Sequence, residues 1–156
     1  MKIRLARPKD VPAIIFLMRE FAEYEKLLDS FEITEEKLSN VLFGNDSLVQ
    51  ALVAEFEKHI CAYAIFYPNF STFRGQLGMY LEDIFILREF RRLATGERML
   101  RKIAGIAARR GFERIDFQVL DWNESAIGFY ERLGAVCDDS ERHFKITDKA
   151  FADLAK

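Results

Sequence analysis

Three apolar, β-prone runs follow one another in the middle of this chain, and helical patterns flank them on both sides. The runs are Leu48 to Glu55, His59 to Tyr67 and Leu77 to Leu87. The first two are joined through Glu57-Lys58, a connection of hairpin length. The second and third are separated by a longer loop, Pro68 to Gly75. Upstream, Lys2 to Ala6 reads as a short strand. Asp10 is placed to cap a helix over 11 to about 27, with Pro12 tolerated in its first turn and Ile14, Leu17, Met18 and Phe21 at helical spacing. Thr34 opens a second helix, with Glu35 and Glu36 in its first turn and Gly44 as its stop. Downstream, Met99, Leu100, Ile103, Ala104 and Ala107 return to helical spacing over 97 to 110, and Gly111 ends that stretch. Ile115, Phe117 and Val119 then alternate as a strand. Asn123 or Ser125 opens a short helix closed by Gly134. Arg142 to Ile146 reads as a last strand, followed by a short C-terminal helix.

The expected order is β-α-α-β-β-β-α-β-α-β. Antiparallel pairs come first, then a strand-helix-strand crossover, which requires a parallel pair. This predicts a mixed α/β domain with a central, mostly antiparallel sheet. It is not doubly wound, because strands and helices do not alternate throughout. At 156 residues the chain has the size of one domain spanning 1–156. Lysine and arginine number 23 against 25 acidic residues, so a nucleic-acid partner is not expected. No apolar run approaches the roughly 20 residues that span a bilayer. Cys61 and Cys137 form no disulfide framework, and a reducing, cytoplasmic setting is expected. His59 and His143 have no partner at metal-ligand spacing, so no metal is expected.

The chemistry concentrates after the third apolar run. The strand Leu81 to Leu87 leads into Arg88-Glu89-Phe90-Arg91-Arg92-Leu93-Ala94-Thr95-Gly96, and a helix begins at Glu97. Free backbone N–H groups of such a turn lie at the positive end of a helix dipole, where a phosphate fits. Arg91 and Arg92 add charge. No Gly-Lys-Ser/Thr and no Gly-x-Gly-x-x-Gly accompany the turn, and local chemistry alone leaves open a solvated basic loop. Glu82 and Asp83 are adjacent carboxylates, and strand alternation assigns one to each face, so they are not expected to work as a pair. Tyr24-Glu25 close the first helix among Glu20, Glu23, Asp29 and Glu32. Asp116 and Gln118 share the strand face opposite Ile115, Phe117 and Val119. Tyr130 shares a helix face with Ile127 and Leu133, which also suits a core tyrosine.

Arg91-x-x-Ala94-x-Gly96 between a strand and a helix resembles the acetyl-CoA loop of the GNAT superfamily of N-acetyltransferases. Ile3-Arg4-x-Ala6, Tyr80-Leu81-Glu82-Asp83, Phe90-Arg91, Val119-Leu120-Asp121-Trp122-Asn123 and Phe129-Tyr130-x-x-Leu133-Gly134-Ala135 follow in that family's order. Together they resemble its diamine branch, the spermidine/spermine acetyltransferases and their thialysine-acetylating relatives. Ala94 departs from the pattern, which has glycine there.

The resemblance implies acetyl transfer from acetyl-CoA to the primary amine of a small cation. Transfer to an amino acid or protein N-terminus, or CoA binding without catalysis, are the alternatives. It implies that Ile84, Phe85 and Ile86 hold the acetyl and pantetheine arm through their backbone. Residues 91–97 (Arg91, Arg92, Leu93, Ala94, Thr95, Gly96, Glu97) would hold the pyrophosphate. Asn123, Glu124, Ser125 and Ala126 would contact the CoA arm. Tyr130 would protonate the departing thiolate, and Glu82 would bind the amine and accept its proton. Tyr24, Glu25, Asp116, Phe117 and Gln118 would line the substrate groove. A homodimer follows from the same resemblance. The loop Phe70 to Gly75, with Ser71, Thr72 and Arg74, is closer to the thialysine-acetylating relatives and implies a short amine with its own carboxylate, for which Arg74 is the candidate partner.

Overall fold

Apolar runs this continuous need cover on both faces of a sheet, and the chain supplies it. The structure, a computed structural model, describes residues 1–91, 93–140 and 142–156. It divides into two units, Met1–Gln118 and Val119–Lys156. The first contains β1 (Lys2–Leu5), α1 (Val11–Tyr24), α2 (Glu35–Phe43), β2 (Gln50–Phe56), β3 (His59–Ser71), β4 (Gln76–Ile86), α3 (Thr95–Arg109) and β5 (Ile115–Asp116). The strands lie in the order β1-β2-β3-β4-β5. All neighbours are antiparallel except β4 and β5, the parallel pair that the crossover through α3 demands.

Alternation sorts the core. Ala51, Val53, Tyr63 and Ile65 bury against Ile14 and Leu17 of α1 and Leu38 and Leu42 of α2. Leu52, Ala54, Ala62, Ala64 and Phe66 bury against Met99, Ile103 and Ala107 of α3. Thr34 caps α2 as expected, its Oγ1 accepting the Lys37 N–H at 3.2 Å. Gly44 stops that helix for a reason other than left-handed backbone: a Cβ there would lie 2.4 Å from the Asn40 carbonyl oxygen.

One irregularity organises the rest. Ile65 faces Asp83, but the next residue, Phe66, faces Leu81, so Glu82 is an extra residue in β4. Such a bulge reverses the alternation beyond it. Met79 and Leu81 therefore pack on the α3 side, whereas Phe85 packs on the α1 side. The next ladder ends close to the bulge. β5 pairs only through Met79↔Ile115 and Tyr80↔Asp116. The strand expected through Phe117 and Val119 stops at Asp116, next to the bulge.

The loop expected from Pro68 to Gly75 is also shorter. β3 continues to Ser71, and Ser71 Oγ accepts the Arg74 N–H across the turn at 3.4 Å. Pro68 is tolerated because β2 starts at Gln50, opposite Phe66, leaving β4 as the only strand beside this end of β3 among the described residues.

The second unit holds α4 (Glu124–Arg132) and α5 (Asp148–Leu154). The cap left open between Asn123 and Ser125 is Asn123, whose side chain accepts the Ala126 N–H at 3.2 Å. Residues 142–146, expected as a strand, form none. Their alternation supplies two faces, but a strand also needs a neighbouring edge to bond, and no sheet pairing reaches them among the described residues. The observed order thus ends β-α-α. No helix among the described residues is long and apolar enough to cross a membrane.

A partly buried ion cluster closes the start of the fold. Arg4 donates to Asp10 at 2.6 and 3.0 Å and to Glu55 at 2.8 and 3.0 Å. Asp10 also accepts the Arg7 N–H at 2.7 Å. The Arg4 guanidinium holds the Asp10 carboxyl below its ordinary range. We expect Asp10→Asn to lower stability by about 3 kcal/mol at neutral pH, because it leaves a desolvated arginine short of its partner. Because the folded pKa is depressed, this contribution is present above the unfolded carboxyl pKa and is lost as pH falls through the folded one. Urea melts of both proteins should therefore converge toward acid; equal midpoints at pH 7 would contradict the assignment.

Candidate active site

Period two places Tyr63, Ile65 and Tyr67 of β3 on one face. The β4 bulge brings both adjacent carboxylates to these tyrosines. The Tyr67 hydroxyl donates to Glu82 Oε2 at 2.7 Å, and the Tyr63 hydroxyl donates to Asp83 Oδ2 at 3.3 Å. The expectation that Glu82 and Asp83 point to opposite faces is therefore corrected: alternation fails at a bulge. The Tyr67 ring packs on its cross-strand partner Tyr80, with centroids 5.3 Å apart.

Electrostatics mark this cluster. Asp83 is pushed up to about 6, first by burial and then by the neighbouring Glu82 charge, with Glu25 adding to both. Burial also raises the Glu25 carboxyl. The Tyr67 and Tyr80 hydroxyls are raised by burial and by Glu82. Among the described residues, no ion pair joins Glu25, Glu82 or Asp83 to a lysine or arginine. Partly desolvated carboxylates without a protein cation attract one from solution.

Asp116 is different. Arg114 binds its carboxylate at 2.6 and 2.8 Å, and Asn69 Nδ2 donates to it at 2.6 Å. Gly78 makes room for this clamp, since a Cβ there would lie 2.6 Å from Arg114 Cγ and 2.7 Å from Asn69 Oδ1. Asp116, expected to line the substrate groove, is thus already bonded to Arg114 and Asn69. Phe117 is half-buried, Gln118 is exposed, and both follow the end of β5, so the shared face expected for Asp116 and Gln118 does not extend as regular strand. Tyr24 ends α1 beneath the Arg91 guanidinium, which lies 5.2 Å from its ring centroid and 5.6 Å from that of Phe85.

The expected cofactor loop has two consistent features. The first turn of α3, with the N–H groups of Thr95, Gly96 and Glu97, carries no side-chain cap among the described residues, which suits an anion. The Glu97 side chain turns along the helix to Arg101, at 2.8 Å, and not onto that terminus. Beyond Tyr80, the β4 edge with the backbone of Ile84, Phe85 and Ile86 has no partner strand on the β5 side among the described residues. This edge and the uncapped turn suit an extended amide-bearing chain ending in phosphate. Arg91 Nε donates to the Ile86 carbonyl at 2.9 Å, turning the side chain back along the strand. Leu93 is exposed. Arg92 lies outside the described residues. Ala94 sits at φ 55°, ψ 18°, in the left-handed region where alanine is disfavoured and glycine is not.

In the second unit Tyr130 is buried on α4, its ring 5.1 Å from Phe129. Glu124, Ser125 and Ala126 form the first turn of that helix after Asn123. Sequence reasoning missed Tyr63, Tyr67 and Asp83 as members of the site. The i, i+2, i+4 spacing of Tyr63, Ile65 and Tyr67 carries their shared face, whereas nothing in the local sequence marks the bulge. Among the described residues no three histidine, cysteine or acidic side chains are grouped to hold a metal.

A family model described as acetyltransferase (GNAT) family matches residues 14–135. The thialysine N-epsilon-acetyltransferase of Bos taurus is 37% identical over 141 residues, covering 85% of this chain and 82% of the relative. The L-ornithine N5-acetyltransferase of Arabidopsis thaliana is 28% identical, covering 99% of this chain and 88% of the relative. Among solved structures, an integron cassette protein of V. cholerae superposes with a TM-score of 0.82 at 21% identity, over 99% of this chain and 97% of that one. An aminoglycoside acetyltransferase from an uncultured soil metagenomic sample gives a TM-score of 0.79 at 22% identity, over 95% and 96%.

Because Ala94 is left-handed, we expect Ala94→Gly to raise stability by roughly 1 kcal/mol and to keep or improve CoA affinity. Thermal melting and CoA titration check this. A lower melting temperature or a clear loss of affinity would contradict the loop geometry.

Proposed function

The chain belongs to the GNAT acetyltransferase family, and we propose that it transfers the acetyl group of acetyl-CoA to the primary amine of a small cation, an amino acid with a side-chain amine in preference to a polyamine. It is an N-acetyltransferase. The observation that carries the substrate reading is the Glu82–Asp83 pair, held on one face of β4 by two tyrosines and joined by no ion pair to a lysine or arginine among the described residues. An ammonium group supplies the missing charge. Named activities of the relatives, thialysine and ornithine acetylation, are transfers to short amines that carry a carboxylate, and they support the preference.

In this reading acetyl-CoA supplies the thioester carbonyl that a free amine attacks. The uncapped turn of α3 holds its phosphates, and the open β4 edge at Ile84 and Ile86 holds its amide arm. Glu25 and Asp83 draw the ammonium in. Glu82 accepts one of its protons, directly or through water, because the ammonium has no lone pair for attack. Tyr130 donates its hydroxyl proton to the departing thiolate. Arg74, exposed in the β3–β4 turn, is the candidate partner for the substrate carboxylate. Residues 1–156 act as one acetyltransferase domain, which pairs as a homodimer.

The test is kcat/KM for thialysine, lysine, ornithine, spermidine and spermine under one set of conditions, by thiol release. The amino acids should lead; spermine ahead by tenfold or more would overturn the substrate choice. Tyr130→Phe should lower kcat by roughly 10²–10⁴-fold, the span of a general acid, with CoA affinity little changed. Near-full kcat would return Tyr130 to a packing role.

A further inference from the structure

A glutamate at a bulge has few restraints. Its backbone is out of the β3–β4 register, and Glu82 is exposed, so its side chain has rotamer freedom to lose before it can act. Among the described residues, one hydrogen bond restricts it. The Tyr67 hydroxyl lies 2.7 Å from Glu82 Oε2. Tyr67 is itself fixed twice: its backbone pairs with Tyr80 across the ladder, and its ring packs on the Tyr80 ring. Carboxylate, tyrosine and supporting ring thus form a chain anchored in two adjacent strands. The bond leaves Oε1, and the remaining lone pairs of Oε2, available to an incoming ammonium.

We infer that Tyr67 is a positioning residue for acetyl transfer, fixing the Glu82 carboxylate in the orientation that receives the amine proton, with the Tyr80 ring as its support. The hydroxyl remains the donor throughout, because burial and the Glu82 charge hold Tyr67 strongly in its protonated form. The inference rests on Glu82 being the proton acceptor, as proposed above. Its consequence is specific. Removing only the hydroxyl leaves the ring packing and the carboxylate in place but frees the carboxylate to turn away, so the loss falls on kcat more than on amine KM. That loss exists only while Glu82 is present.

The experiment is a double-mutant cycle with Tyr67→Phe, Glu82→Gln and the combined variant, read by kcat and amine KM alongside thermal melting. The expected result is a roughly tenfold lower kcat for Tyr67→Phe with an unchanged melting temperature, and a combined variant no slower than Glu82→Gln alone. Full kcat in Tyr67→Phe, or a combined loss equal to the product of the single losses, would overturn the positioning role while leaving Glu82 as the acceptor. Full kcat in Glu82→Gln would overturn the proton-acceptor reading, and the positioning role with it. If Tyr67→Phe melts early, Tyr80→Leu separates packing from orientation. Removing the supporting ring should lower kcat while leaving the Tyr67 hydroxyl present, and full kcat there would overturn the support assigned to Tyr80.

Discussion

One extra residue in β4 sets the rest of the site. Because β-strand side chains alternate with a period of two, a single insertion moves every later side chain to the other face. At Glu82 that insertion exchanges the faces of the two halves of β4, with Met79 and Leu81 on one side and Phe85 on the other. It gathers Glu82 and Asp83 onto the tyrosine-lined face of β3. It also coincides with the end of β5 pairing, so the β4 edge beyond Tyr80 has no partner strand on that side among the described residues. The paired carboxylates and the open backbone edge thus have a common origin.

The sheet can carry this irregularity because it is held elsewhere. Helices cover both faces, and the Arg4, Asp10 and Glu55 cluster ties β1 to β2 and to the start of α1. The two ionic groupings have opposite character. Asp10 is held low by its arginine, so its charge favours the folded state. Asp83 is raised to about 6 by burial and by Glu82, so its charge opposes the folded state at neutral pH. A carboxylate kept where it costs stability fits a binding role better than a structural one.

Much of this was legible in the sequence. Hydrophobic periodicity located the helices and the four longer strands, and hairpin and crossover lengths implied the pairing. The motif around Arg91 and Ala94 pointed to the loop and the family. What failed has physical causes. Glu82 and Asp83 were assigned to opposite faces because alternation is a local rule and a bulge is fixed by the partner strand. Residues 142–146 have strand alternation without a strand, since backbone pairing depends on a neighbour and not on the segment alone. The partners of Asp116 were not legible because Arg114, two residues away, and Asn69, on another strand, meet it only in the fold. The left-handed Ala94 was hidden for the opposite reason: the residue present is not the one its backbone conformation favours.

The most direct measurement is the amine KM across pH 5 to 8 for the wild type and Asp83→Asn. A lysine-type amine, with its pKa near 10.4, remains charged throughout this range, so any change belongs to the protein. If Glu82 and Asp83 together hold the ammonium, the wild-type KM falls as pH rises through about 6 and Asp83 gains its charge. The variant then stays at the higher value. A wild-type KM that is the same at pH 5 and pH 8, or a variant that retains the same slope, would show that the ammonium does not bind at this pair.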